Sequence, residues 1–146
     1  MKQISGTWFE VKVRYEQTQE NGLEKMVTET YVYEAADFGE AYDKATKDMP
    51  SLSDEFERTA MKIAQYKESI TQDDKTEEKY YRVKVNLIIL DEKTQKEKKV
   101  AQYYLVNADS VEKARKYTDT ALSDTMMDYV IEAVQEAKII DVIFDD

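Results

Sequence analysis

The chain has no cysteine and no histidine. Their absence excludes disulfides, thiol catalysis and Cys/His zinc sites, and every acid–base mechanism that turns on imidazole. There are three glycines, Gly6, Gly22 and Gly39. They are too scattered to form a loop that cradles phosphate, so P-loop and dinucleotide fingerprints are missing. No stretch approaches the ~20 apolar residues of a membrane span. The opening Met1-Lys2-Gln3-Ile4-Ser5-Gly6 lacks the apolar run of a signal peptide. The expectation is a soluble, cytoplasmic protein. Acid pairs such as Asp73-Asp74, Glu77-Glu78 and Asp145-Asp146 lack EF-hand spacing. No serine or threonine has an identifiable base beside it. The sequence therefore reads as a non-enzyme, with no cofactor and no metal.

What is present is charge, aromatics and repetition. Charged residues make up 36% of the chain, against roughly 25% in an average domain, which points to a heavily solvated surface. The net charge of −10 is uneven. From Asp119 onward come Asp124, Asp128, Glu132, Glu136, Asp141, Asp145 and Asp146, against the single base Lys138, so the remaining body is nearly neutral.

Trp8-Phe9-Glu10-Val11-Lys12-Val13 returns as Tyr80-Tyr81-Arg82-Val83-Lys84-Val85, and Ala36-Asp37-Phe38-Gly39-Glu40 returns as Ala108-Asp109-Ser110-Val111-Glu112. Self-similarity at a fixed spacing reveals architecture before other signals do. In the first copy, Phe9, Val11, Val13 and Tyr15 alternate with polar neighbours, the mark of a strand with one buried face. Asn21-Gly22 signals a hairpin turn into a second strand over about 24–34. Asp37 and Glu40 read as a capping box, opening a helix with Phe38, Ala41, Tyr42, Ala45 and Met49 on its inner stripe and Pro50 at its end. A long, bulged strand is expected over 56–70.

The second copy repeats this plan. Tyr81, Val83, Val85, Leu87 and Ile89 alternate, and Asp91 to Lys96 turn. Asp109 and Glu112 form a second capping box, and the helix turns Val111, Ala114, Thr118, Ala121 and Leu122 inward. A final strand spans 129–144, with one extra residue after the second helix. The fold class is α+β: a tandem duplication of a strand-strand-helix-strand unit, mostly antiparallel, with two helices packed on the sheet. Residues 1–70 form the first repeat, 71–79 a linker and 80–146 the second, within one pseudo-symmetric domain.

The candidate binding residues lie on the strand faces away from the expected core. Trp8, Lys12 and Arg14 are answered by Tyr80, Arg82 and Lys84; Tyr31, Tyr103 and the Lys98 region join them from the return strands. Rings interleaved with cations are what single-stranded nucleic acid requires, because bases stack on rings while Lys and Arg follow the phosphates. The structural alternative is that Tyr and Trp favour strands anyway and are buried by helix packing, with Lys and Arg paired to Glu across strands. The end, Phe144-Asp145-Asp146, is an aromatic followed by acids, a partial likeness to the partner-docking tips of single-strand DNA-binding proteins. A frayed acidic end is its alternative.

The segments Trp8 to Glu16, Asn21-Gly22-Leu23 and Val27-Thr28-Glu29, with Asp91-Glu92-Lys93-Thr94, Tyr104-Leu105-Val106 and Asp141-Val142, carry a resemblance. Over nearly the whole chain it resembles an uncharacterised family of Bacteroidetes bacteria and their phages. That resemblance implies an intracellular bacterial or phage setting and favours a role in DNA metabolism. It transfers no activity and no catalytic residue. The sequence thus points to a non-enzymatic accessory protein binding single-stranded nucleic acid, or alternatively to a protein-interaction or assembly module. A homo-oligomer is compatible with both.

Overall fold

A computed structural model describes residues 1–48, 56–72 and 77–144, with the side chains of 56–59 left aside. The fold is α+β, and its strands fall into two mixed sheets. Contacts divide the chain into two compact units. One is Met1–Ser5 with Tyr66–Ala137, the other Gly6–Gln65 with Lys138–Asp146. These units differ from the sequential halves because short strands cross over. No helix of the described residues is long and apolar enough to cross a membrane.

Chain order is β1 (Lys2–Ser5), β2 (Trp8–Thr18), β3 (Glu24–Glu34), α1 (Phe38–Asp48), β4 (Phe56–Ala64), β5 (Glu68–Thr71), β6 (Tyr80–Asp91), β7 (Lys96–Asn107), α2 (Val111–Ala121), β8 (Asp128–Ala137) and β9 (Asp141–Ile143).

The unit that begins at Gly6 holds the sheet β4-β2-β3-β9 and α1. β2 and β3 pair from Trp8↔Glu34 to Thr18↔Glu24. The Asn-Gly signal is realised: the Leu23 N–H donates to Asn21 Oδ1 at 3.0 Å, and Gly22 has φ +84, a conformation glycine adopts at no steric cost. Asp37 caps α1, its Oδ1 accepting from the Glu40 N–H at 2.8 Å, while Glu40 reaches back to the Ala36 N–H at 3.1 Å. Ala41 and Ala45 are fully buried, and such small side chains let the helix sit close to the sheet. Phe38 and Tyr42, expected inside, are each 48% exposed. Phe38 keeps an edge-on contact with Phe9, ring centroids 4.8 Å apart. Met49 and Pro50 lie outside the described residues.

The other unit holds the sheet β1-β5-β7-β6-β8 and α2. β6 and β7 pair from Tyr80↔Asn107 to Asp91↔Lys96. Trp8 aligns with Tyr80, but Glu34 aligns with Asn107. The β6–β7 hairpin is thus one residue longer than β2–β3, and the extra residue expected after the second helix falls inside this hairpin instead. Everything downstream shifts with it, and the cap of α2 is Ser110, whose Oγ accepts from the Lys113 N–H at 3.1 Å. The expected Asp109–Glu112 box does not form. Asp109 instead accepts from the Glu78 N–H at 2.9 Å, a hydrogen bond that holds its carboxyl below the usual range.

Both expected closing strands are broken. The 56–70 stretch divides into β4, antiparallel to β2, and β5, which joins the other sheet parallel to β7. The 129–144 stretch divides into β8, antiparallel to β6, and β9, parallel to β3. β1, which carries no alternation strong enough to be read, pairs with β5. The core beneath α2 therefore imports Ile70 from β5, fully buried among Tyr81, Val83, Val85, Tyr104 and Val106. Val142 of β9, 7% exposed, adds to the β2–β3 sheet beside Val32. The antiparallel edge strands β4 and β8 each carry a bulge, opposite Lys12–Val13 of β2 and Lys84–Val85 of β6.

Candidate nucleic-acid interface

Alternation sorts the candidate residues onto two faces of each sheet. In β2, Phe9, Val11 and Val13 meet the α1 side, so Trp8, Glu10, Lys12 and Arg14 take the opposite face. Trp8 is 0% exposed there. Tyr31 pairs with Val11 and belongs to the core on the α1 side. It is 7% exposed, as is Tyr80. These three rings are therefore not open platforms, which corrects the stacking roles read from the sequence. β-propensity and burial, not ligand stacking, account for them. Lys12 and Arg14 are exposed, and Glu10 is ion-paired with Lys62 at 3.3 Å.

The second hairpin differs. Tyr81, Val83 and Val85 pack under α2, leaving Arg82, Lys84 and Asn86 on the far face of β6. Tyr103 is the direct ladder partner of Lys84 and is only half-buried. Lys99 pairs with Ile88 and shares this face. Lys98 pairs with Ile89 and so lies on the α2 side, separated from Lys84 by the sheet. Arg82 donates through Nε and Nη2 to the Tyr66 hydroxyl at 3.2 and 3.0 Å, which fixes the guanidinium over that ring's polar edge.

Three acids share this face: Glu97 is the ladder partner of Leu90, Asp128 is the partner of Ile88, and Glu132 reaches Lys84. The β6–β8 ladder pairs Lys84 with Ala133 and Val85 with Ile131, leaving Glu132 as the bulged residue. Its Oε2 lies 3.4 Å from Lys84 Nζ and accepts from Asn86 Nδ2. The Asn86 hydrogen bond, with Lys84 and more weakly Lys99, holds the Glu132 carboxyl below its usual range. Asn86 is 9% exposed. Sequence reasoning misses Asn86 and Glu132, because only the ladder register brings them to Lys84. At the C-terminus Phe144 is half-buried directly after β9, and Asp145 and Asp146 lie outside the described residues.

The tyrosines on the α1 side of β2 and β3 set an alkaline limit on stability. A hydrogen bond to Glu29, then burial, pushes Tyr15 from 10.0 up to about 12. Burial, then the Glu29 charge, raises Tyr31; burial, then Asp48, raises Tyr33. A raised folded value means the stabilisation is complete below the unfolded value of 10.0 and is lost as pH climbs through the folded values. The expected result is unchanged stability to about pH 10 and cooperative unfolding above it. Ultraviolet phenolate absorbance should then show part of the eleven tyrosines titrating only with unfolding. Smooth, independent titration of all of them with the fold intact would contradict this.

Over residues 7–145 the chain matches the family described as Domain of unknown function (DUF4494), and it belongs to that family. No curated protein and no solved structure matches it.

Proposed function

We propose that this member of the family is a non-enzymatic protein that binds single-stranded nucleic acid on the face of the β6–β7 hairpin turned away from α2. The observation that carries the reading is the Lys84–Tyr103 ladder pair, with Lys99 on the same face. A half-buried ring flanked by ammonium groups can stack one base, worth roughly 1–3 kcal/mol, while the cations neutralise the adjoining phosphates. Lys12 and Arg14 provide a second exposed basic pair on the corresponding face of β2. The phage or mobile-element DNA setting implied by the sequence resemblance belongs to the same proposal. So does descent of the two units from one duplicated strand-strand-helix-strand ancestor, a reading supported by bulges in β4 and β8 opposite matching positions of β2 and β6.

A second reading, as a protein-interaction or assembly module, draws on Met126, 99% exposed, with Met127 and Val130 beside it at the start of the edge strand β8. Exposed methionines suit adaptable protein contacts.

Fluorescence anisotropy with a short labelled oligothymidylate at low and high salt separates the two readings. The nucleic-acid reading expects binding that weakens steeply with salt. Lys84→Gln with Lys99→Gln should flatten the slope of log K against log salt by about 1.4, roughly 0.7 for each single-strand phosphate that is no longer neutralised. Tyr103→Ala should weaken binding about tenfold or more, the equivalent of one stacked base. Absence of binding at micromolar protein in low salt would leave the interaction-module reading in its place.

A further inference from the structure

The bulge in β8 gives Glu132 an unusual position. An ordinary ladder would set it opposite one residue of β6. The register shift instead leaves it between the partners of Lys84 and Val85, and its carboxylate is drawn onto the basic face. There Lys84 Nζ stands 3.4 Å away and Asn86 donates its amide N–H. Asn86 is an amide nine-tenths buried on a strand otherwise built largely of apolar and basic residues. Buried amide groups are retained where they have a partner to satisfy, and the partner here is an oxyanion.

We propose that Lys84 and Asn86, with Lys99 nearby, form a subsite for a non-bridging phosphate oxygen of a nucleic-acid strand, and that the Glu132 carboxylate fills this subsite in the free protein. An ammonium and a neutral amide donor converging on one anionic oxygen are chemically indifferent to whether carboxylate or phosphodiester supplies it. A bound strand would displace Glu132 towards solvent, and its side chain is already 48% exposed. The built-in anion makes weak, isolated anions poor competitors and reserves the face for a polyanion whose other contacts help to displace it. The corresponding bulge opposite Lys12 and Val13 falls at Thr59, where the sequence provides no carboxylate. The two basic faces therefore differ in this internal competitor. The inference rests on the nucleic-acid reading above and assigns the regulation of that site.

The test is oligothymidylate binding to wild type, Glu132→Gln, Lys84→Gln and the double variant, by anisotropy at low salt and across a salt series. Glu132→Gln should bind about threefold or more tighter, with a salt slope steeper by about 0.7, one additional neutralised phosphate. In the Lys84→Gln background the same change should give little or no gain, because the freed subsite lacks its cation. Glu132→Ala should act in the same direction as Glu132→Gln. If wild type binds while Glu132→Gln binds equally or more weakly, Glu132 is not a competitor and this inference is overturned, with the binding face intact. Equal gains in the presence and absence of Lys84 would also overturn it, since a general charge effect would explain them. Failure of wild type and Glu132→Gln alike to bind would remove the nucleic-acid reading and this subsite with it.

Discussion

Replacing Trp8 with alanine lowers the stability of the protein by about 3–5 kcal/mol, the range for deleting a fully buried large aromatic. The ring is 0% exposed, so the loss combines transfer free energy with the cavity left behind. Against the roughly 5–15 kcal/mol of a typical domain, such a loss leaves little margin. Trp8→Phe should be far milder. The indole Nε1–H has no acceptor among the described residues, and a buried donor without a partner costs about 1–3 kcal/mol, so phenylalanine removes a penalty along with some volume. Urea unfolding followed by circular dichroism measures both variants, since Trp8 is the single tryptophan and its fluorescence disappears with it. A Trp8→Ala cost below about 1 kcal/mol would show that the site collapses or is wet. In the native protein Trp8 emission should resist acrylamide quenching.

Cutting the chain between the two sequence repeats abolishes folding of each piece alone, and mixing the pieces restores it. A piece starting at residue 77 retains β6, β7, α2 and β8 but loses β5, and with it Ile70, a fully buried member of that core. The edge of β7 that pairs with β5 is then bare, together with Leu105 and Val106. A piece ending at residue 72 loses β9 and the cover of Val142 beside Val32. Pieces of this length bury only roughly 60% of their unfolded surface even when intact, and an exposed edge invites non-specific pairing. Far-UV circular dichroism and amide hydrogen exchange should report disordered or aggregated pieces and native-like protection after mixing. Independent, cooperative folding of either piece would show that the crossing strands contribute little.

The hairpins and first helix are legible in the sequence because their signals are local. Strict alternation in Phe9–Tyr15 and Tyr81–Ile89, the Asn21-Gly22 turn and the Asp37–Glu40 box each act within a few residues. The second cap is ambiguous for a reason that is also local: Asp109 and Ser110 are both good capping residues. Which one wins depends on a one-residue difference in hairpin length that only the ladder reveals. The β4–β5 and β8–β9 breaks are hidden because apolar residues continue through them, Tyr66 and Ile139 being buried just past the strand ends. No glycine or proline marks either bend. Of the candidate site, Lys84, Arg82 and Tyr103 are readable as a pattern of cations and rings. The burial of Trp8 and Tyr80 is not, since alternation reports a strand's two faces but not whether the second is covered. Asn86 and Glu132 meet only through pairing between distant strands.

The crossing strands also bear on how the protein is made. Tyr31 of β3 takes Asp141 as its partner, so the first hairpin leaves the ribosome long before its last neighbour exists. At ~5–20 residues per second, its β3 edge waits several seconds for β9. Vectorial, amino-terminal-first folding cannot complete the early unit, and the two sheets close only once β8 and β9 have been made. Pairings so distant in sequence are slow to form. The nascent chain is therefore the state most exposed to wrong strand pairing.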